Sequence, residues 1–264
     1  MVVLDIDGTL HAASDSHRRA HQSISVAVRA AVRAVARTGT HVVLCTGRLS
    51  TATLPFLREL EISAGFAVCS NGAVLIDAAT GRIVEQVVFS LAAPIAVLRG
   101  WLPDAVFVAE DPGVGVWATG VIDDADTHYG AVTLVEVDEL AAASTTRLAV
   151  HWPGHSGPEL SDALSNNAIL NVRCCCYTDE PIADLTAAGV TKAAMLERLR
   201  VQLGVAASET LAVGDGVNDI EMLIWAAHGV AMGNSPASVQ AIADEICPSA
   251  ADDGLAIALS RWFR

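Results

Sequence analysis

Lysine is almost missing from this chain: Lys192 is the only one, against fifteen arginines. Positive charge is scarce altogether, since 16 basic residues face 30 acidic ones and leave a formal charge of −14. Nucleic-acid phosphates demand a basic footprint, so non-specific nucleic-acid binding is excluded as a role. Long hydrophobic runs are also lacking. Apolar residues make up 52% of the chain and the mean hydropathy is +0.44, yet no stretch reaches the ~18–20 uninterrupted apolar residues of a spanning helix. The richest stretch, from Ile24 to Cys45, carries Arg29, Arg33 and Arg37 at four-residue spacing, as on an amphipathic helix. No secretory leader is expected, because Met1–Leu4 reads as a strand from the start. A cytoplasmic protein with no membrane partner follows as the expectation. Zinc-ligand spacing is absent among the six cysteines. The run Cys174-Cys175-Cys176 cannot offer three thiols to one metal, because alternate strand residues face opposite ways. These cysteines read as small core residues in a reducing compartment.

Apolar β-branched runs and helical stretches alternate over the first seventy residues. Met1–Leu4, His41–Cys45 and Phe66–Cys69 read as strands, Ile24–Arg37 and Leu49–Leu60 as helices, with Ser23 and Ser25 available as caps. That rhythm indicates an α/β, Rossmann-like parallel sheet flanked by helices. From about Ala73 to Asp184 strand-like runs crowd together between prolines, as expected of an inserted α+β domain. After Thr186 the α/β rhythm returns, with helices expected at Thr191–Leu203, Asp219–Ala227, Pro236–Ile246 and Gly254–Phe263. The expected division is therefore a core over 1–72 and 185–264, with an insertion over 73–184.

Three polar clusters fall at expected strand ends, where open parallel sheets place their ligands. They are Asp5-Ile6-Asp7-Gly8-Thr9, Thr46-Gly47-Arg48 and Gly214-Asp215-Gly216-Val217-Asn218-Asp219. Carboxylates spaced i, i+2 leave the strand on one side, so one can attack phosphorus while the other handles protons. The repulsion between a carboxylate and a phosphate dianion calls for a hard cation, Mg²⁺, between Asp5 and Asp215. The bland alternative treats the same residues as ordinary turn formers. Arg48 reads equally as a phosphate contact or as a solvated helix start, and Asn71 as a cleft residue or a turn residue. His11, His17 and His21 read as members of a polar loop.

These motifs, in this order, resemble those of haloacid-dehalogenase-superfamily phosphatases, in particular the Cof-like group with a large cap. The resemblance spans the core and implies a phosphatase in which Asp5 is the nucleophile and Asp7 the acid/base. Thr46 resembles the hydroxyl that binds the transferring phosphoryl group, and Lys192 in Gly189-Val190-Thr191-Lys192 resembles the third-motif lysine. Asp215 resembles the metal ligand of the fourth motif and Asp219 its supporting carboxylate, with Asn218 on phosphate or metal-bound water. The implied sets are Asp5, Asp7, Thr46 and Lys192 for catalysis, and Thr46, Gly47, Arg48, Lys192 and Asn218 for the phosphoryl group. Asp5, Asp7, Asp215 and Asp219 are implied for Mg²⁺. Ser70-Asn71-Gly72-Ala73, Ala231-Met232-Gly233-Asn234 and Asp252-Asp253-Gly254 look like secondary signatures of the group. The expected substrate is a small phosphate ester and the expected state a monomer or weak homo-oligomer. A phosphomutase and a catalytically idle metabolite-binding module remain as alternatives.

Overall fold

The computed structural model describes residues 1–12, 24–121, 130–165, 172–176 and 180–263. The first core segment runs β1 (Val2–Leu4), α1 (Val26–Arg37), β2 (Val42–Cys45), α2 (Ser50–Glu59), β3 (Phe66–Cys69), β4 (Val74–Asp77) and β5 (Ile83–Gln86). There follow β6 (Phe89–Ser90), α3 (Ala92–Trp101), β7 (Val106–Asp111), β8 (Gly115–Ala118), β9 (Ala131–Leu134), α4 (Val137–Ala141) and β10 (Ser144–Thr145). Next come β11 (Leu148–His151), α5 (Gly157–Ala163), β12 (Val172–Cys176) and β13 (Ile182–Ala187). The chain ends with α6 (Lys192–Gln202), β14 (Leu211–Gly214), α7 (Ile220–Trp225), β15 (His228–Ala231), α8 (Ala237–Gln240), β16 (Glu245–Ile246) and α9 (Gly254–Trp262).

The larger sheet has the order β16-β15-β14-β1-β2-β3-β4-β5. It is parallel from β16 to β3 and antiparallel over β3, β4 and β5. Its central strands are apolar on both faces because helices cover both, which is how a parallel sheet is buried. One face holds Leu4, Val28, Val32, Leu44 and Leu259, the other Val3, Val43, Met195, Leu199 and Met222. Ser25 caps α1, its hydroxyl accepting from the Val28 amide. Arg29 and Arg33, expected on a solvated stripe, reach across to Glu59 and Glu61. Ser23 lies outside the described residues.

The insertion forms a second sheet of order β12-β13-β11-β7-β8-β9. One face packs against α3, α4 and α5 through Leu98, Phe107, Leu140, Leu148 and Leu160. The other face carries Val108, Val116, Ala118 and Ala149, which close on Leu49 of the core. The cap therefore lies over the loop at the start of α2.

Three expectations differ. The boundary expected at 73 moves, because β4 and β5 hydrogen-bond to the core sheet; the boundary expected at 184 moves to the end of β13, which pairs within the cap sheet. An antiparallel hairpin on the edge of a parallel sheet has the same alternating pattern as an independent β domain, so the sequence pattern does not separate them. The helix expected over Pro236–Ile246 stops after Gln240. Asp244 bonds Gly229 through both its backbone amide and its side chain, drawing the following residues into β16. The cysteine run alternates as expected: the Cys174 and Cys176 sulfurs lie 3.6 Å apart, while Cys175 is buried opposite Asp184 on the other face of the strand.

Candidate active site

Adjacent strands β14, β1 and β2 end at one level, since Leu4 pairs with both Val213 and Leu44. The next residue, Asp5, donates its amide to the Val213 carbonyl at 3.0 Å, and Thr46 donates its own to Val68 at 2.9 Å. The side chains that follow are thus set side by side at the carboxyl edge. Lys192 enters from the opposite end of the sequence as the first residue of α6, whose N-cap Thr191 accepts from the Ala194 amide. It is 1% exposed. Its ammonium donates to Asp5 Oδ1 at 2.7 Å and to Asp219 Oδ1 at 2.5 Å.

Asp219 is fully buried, and its second oxygen accepts from the amides of Asp215 and Gly216 at 3.0 and 2.9 Å. That arrangement folds the loop after β14 back on itself and brings Asp215 toward Asp5. Ligand oxygens of Asp5, Asp215 and Asp219 all lie within 4.8 Å of one another. Three carboxylates around one ammonium are short of positive charge. Burial first, then Asp219, pushes Asp5 up to about 7 against the help of Lys192. Burial, then Asp5 and Asp219, pushes Asp215 up to about 8. For Lys192, burial works against the charge, but Asp219 and Asp5 outweigh it and hold the ammonium above its ordinary range. A buried oxygen-rich cluster deficient in positive charge fits a hard divalent cation.

Gly8 makes the close approach possible. It adopts φ 73°, and a Cβ there would lie 2.0 Å from Asp215 Oδ2. Asn234, after β15, ties the same two pieces together, donating to the Gly8 carbonyl at 2.9 Å and to Asp215 Oδ2 at 3.0 Å.

Asp7 stands apart from the expected metal ligands. Its carboxylate is taken by Arg48, with Nε to Oδ2 at 2.7 Å and Nη2 to Oδ1 at 2.5 Å. The guanidinium lies over the Phe56 ring, 4.9 Å from its centroid. His11, expected in a polar loop, is buried, stacks on Phe56 and brings Nε2 to 3.5 Å from Asp7. His17 and His21 lie outside the described residues. Arg48 thus contacts the expected acid/base residue, not a solvated helix start.

Thr46 is buried, and its hydroxyl accepts from the Arg48 amide at 3.1 Å. Gly47 lies under two amide side chains, since a Cβ there would come within 3.0 Å of Asn71 Oδ1 and 3.5 Å of Asn218 Nδ2. Sequence reading named Asp5, Lys192, Asp215 and Asp219, which the fold gathers at one point. It passed over the bridging role of Asn234 and the burial of His11. Asn234 stands in the signature Ala231-Met232-Gly233-Asn234, but its bridging role depends on Gly8 and Asp215, which lie far from it in sequence.

A family model described as haloacid dehalogenase-like hydrolase matches residues 2–96 and 159–259. The unmatched stretch falls inside the cap. The chain is 25% identical over 280 residues to 5-amino-6-(5-phospho-D-ribitylamino)uracil phosphatase YcsE of Bacillus subtilis, covering 99% of this chain and 95% of that protein. It is 28% identical over 263 residues to a phosphoglycolate phosphatase of Methanoculleus marisnigri, covering 99% and 96%. The crystal structure of a haloacid dehalogenase-like hydrolase from Bacteroides thetaiotaomicron matches with a TM-score of 0.80 at 24% identity, covering 99% of this chain and 98% of that one.

Proposed function

The chain belongs to the haloacid dehalogenase-like hydrolases, and we propose that this phosphatase cleaves a small phosphorylated metabolite, such as a sugar phosphate, through an aspartyl-phosphate on Asp5. The observation that carries the reading is the contact of Lys192 with Asp5 and Asp219 inside a buried trio of carboxylates. Lys192 engages Oδ1 of Asp5 and so directs Oδ2 at phosphorus. The Asp5–phosphorus bond forms as the bond to the leaving oxygen breaks, and Asp7 gives that oxygen its proton. Asp7 then takes a proton from water as the water oxygen attacks phosphorus, the Asp5–phosphorus bond breaks and phosphate leaves.

Asp5, Asp215 and Asp219 are the residues that would hold Mg²⁺, which supplies the positive charge a carboxylate needs to approach a phosphate dianion. Thr46, Lys192 and Asn218 hold the phosphoryl oxygens. Because Arg48 occupies both oxygens of Asp7, acid catalysis requires that pair to open. A phosphate dianion arriving beside Thr46 offers the guanidinium a competing bidentate partner. The cap excludes water and contacts the leaving group.

The test is phosphate release over a panel of phosphorylated sugars, a phosphorylated flavin precursor, phosphoglycolate and pyridoxal phosphate, with and without Mg²⁺. Metal-dependent release from at least one is expected. No release from any, with the phosphoryl group instead moved to a second hydroxyl, would replace hydrolysis by mutase chemistry.

A further inference from the structure

A relay of buried polar contacts runs from the candidate phosphoryl site into the cap. Asn218 Nδ2 donates to Asn71 Oδ1 at 3.0 Å, and Asn71 Nδ2 donates to Asp184 Oδ2 at 3.0 Å. The other oxygen of Asp184 meets Arg147 Nε at 2.8 Å. Asn218 lies in the loop after β14 and Asn71 in the turn after β3, whereas Asp184 is on β13 and Arg147 directly precedes β11. Asn71, Asp184 and Arg147 are 1%, 3% and 9% exposed. Water has little room to replace the contacts among these three, while Asn218 is half-buried at the open end of the relay, and Arg147 gives the buried carboxylate its counter-charge.

The turn that carries Asn71 is itself fixed to the phosphate loop. Ser70 and Asn71 both adopt left-handed backbone, at φ 53° and 55°. The Ser70 amide donates to the Arg48 carbonyl at 2.8 Å and the Asn71 amide to the Thr46 carbonyl at 3.1 Å. Asn71 is therefore a rigid link between loop and cap.

The relay has a direction. An ionised carboxylate only accepts, so Asp184 obliges Asn71 to turn its amide nitrogen toward the cap. Asn71 then shows its carbonyl to Asn218, and Asn218 must answer with its own nitrogen. One hydrogen of that nitrogen is used by Asn71. The second remains for an acceptor above the Thr46-Gly47 loop, where the Asn218 nitrogen stands.

We propose that Asp184 and Asn71 are positioning residues: with the cap docked, they set the hydrogen-bond polarity that aims the Asn218 amide at a phosphoryl oxygen. The phosphoryl site is then complete only when the cap is in place. This rests on the phosphatase reading of the site.

The test uses the full chain with Mg²⁺ and two readouts: affinity for tungstate, a phosphate mimic, by calorimetry, and kcat and KM on a small aryl phosphate. Asp184→Asn is nearly isosteric but can present a donor, which lets both asparagines flip. Tungstate affinity and kcat should each fall about 10- to 100-fold, the worth of one hydrogen bond to a charged group, with Mg²⁺ dependence unchanged. The swap Asn71→Asp with Asp184→Asn restores an acceptor facing Asn218 and should recover both readouts to within about 3-fold of the parent. Should Asp184→Asn not fold, Asn71→Ala breaks the relay without touching the cap pair and should show the same loss. A swap no better than Asp184→Asn, or an unchanged Asn71→Ala, overturns the proposal. Absence of turnover in the parent on every monoester would strike the phosphatase reading instead, and the tungstate measurements would still decide the relay.

Discussion

Asparagine in place of Asp215 should stabilise the metal-free protein, by little near pH 4, by more at pH 5 and most at pH 8. Burial, Asp5 and Asp219 raise Asp215 from an ordinary 3.8 to about 8. Between those values the folded protein keeps a proton that the unfolded chain has lost. The folded state binds more protons there, so by linkage stability falls as pH rises through that window. Each pH unit of a single displaced group is worth ~1.4 kcal/mol. Asp5, raised to about 7, shares the same strain, so the two protonations are not additive. A net penalty on the order of 2–3 kcal/mol at pH 8 is reasonable for Asp215. Asparagine removes that charge yet keeps an oxygen for the Asn234 amide, which now donates to Asp215 Oδ2. Urea unfolding of both proteins in EDTA, at about pH 5, 6.5 and 8, reads the difference directly. The variant's advantage should grow with pH. Adding Mg²⁺ at pH 8 should reverse it, because only the parent gains ligand stabilisation. A gap that stays flat from pH 5 to 8, or a variant less stable than the parent at pH 8 in EDTA, would refute the account of a crowded acidic trio.

Asp5→Asn should abolish phosphate release while the protein still folds, since an amide is a poor nucleophile; near-normal release would remove the covalent step. Lys192→Ala should cost roughly 10²–10³-fold in kcat, the usual loss for one preorganised charge-stabilising donor. Lys192→Arg should recover little of it, because a planar guanidinium does not fit a site in which one ammonium meets two carboxylates. Full activity of either variant in a phosphate-release assay would show the ammonium to be dispensable. Exhaustive chelation should stop turnover and Mg²⁺ should restore it, and undiminished activity in EDTA would contradict the metal assignment.

The place of the candidate site was legible because each part of it is local in sequence. Asp5, Thr46 and Asp215 each follow a short apolar strand, and parallel strands bring their ends together whatever lies between. Lys192 could be singled out because it is the chain's only lysine. What stayed hidden depends on contacts between distant segments. Arg48 read equally as a phosphate contact or a solvated helix start; its pairing with Asp7, over the Phe56 ring, joins segments far apart in sequence. His11 looks like a loop residue until the same ring stacks on it. Asp184 and Arg147 lie in ordinary β sequence; the pairing of β11 with β13 puts Arg147 in reach of Asp184, and Asp184 in turn meets Asn71 of the core.

The placement of β4 and β5 decides how the cap can be exchanged. A graft cut at 73 and 184 would strip both strands from the core sheet and leave β3 as an edge, although its Ala67, Val68 and Cys69 are buried. Exposed apolar edges invite pairing with other chains, so that chimaera should aggregate. A cut after Val87 and before Ala188 leaves the core sheet whole and carries the cap sheet complete, β13 included. A cap from a relative with another substrate, inserted between these points and bearing a carboxylate at the position of Asp184, should fold and bring its own substrate ranking. Metal dependence should stay as in the parent, because Asp5, Asp215 and Asp219 all lie outside the cut. Ranking phosphate release by the chimaera and both parents over one panel decides the matter. A soluble chimaera that keeps the ranking of the original core would place specificity in the core, at Arg48 or Asn71.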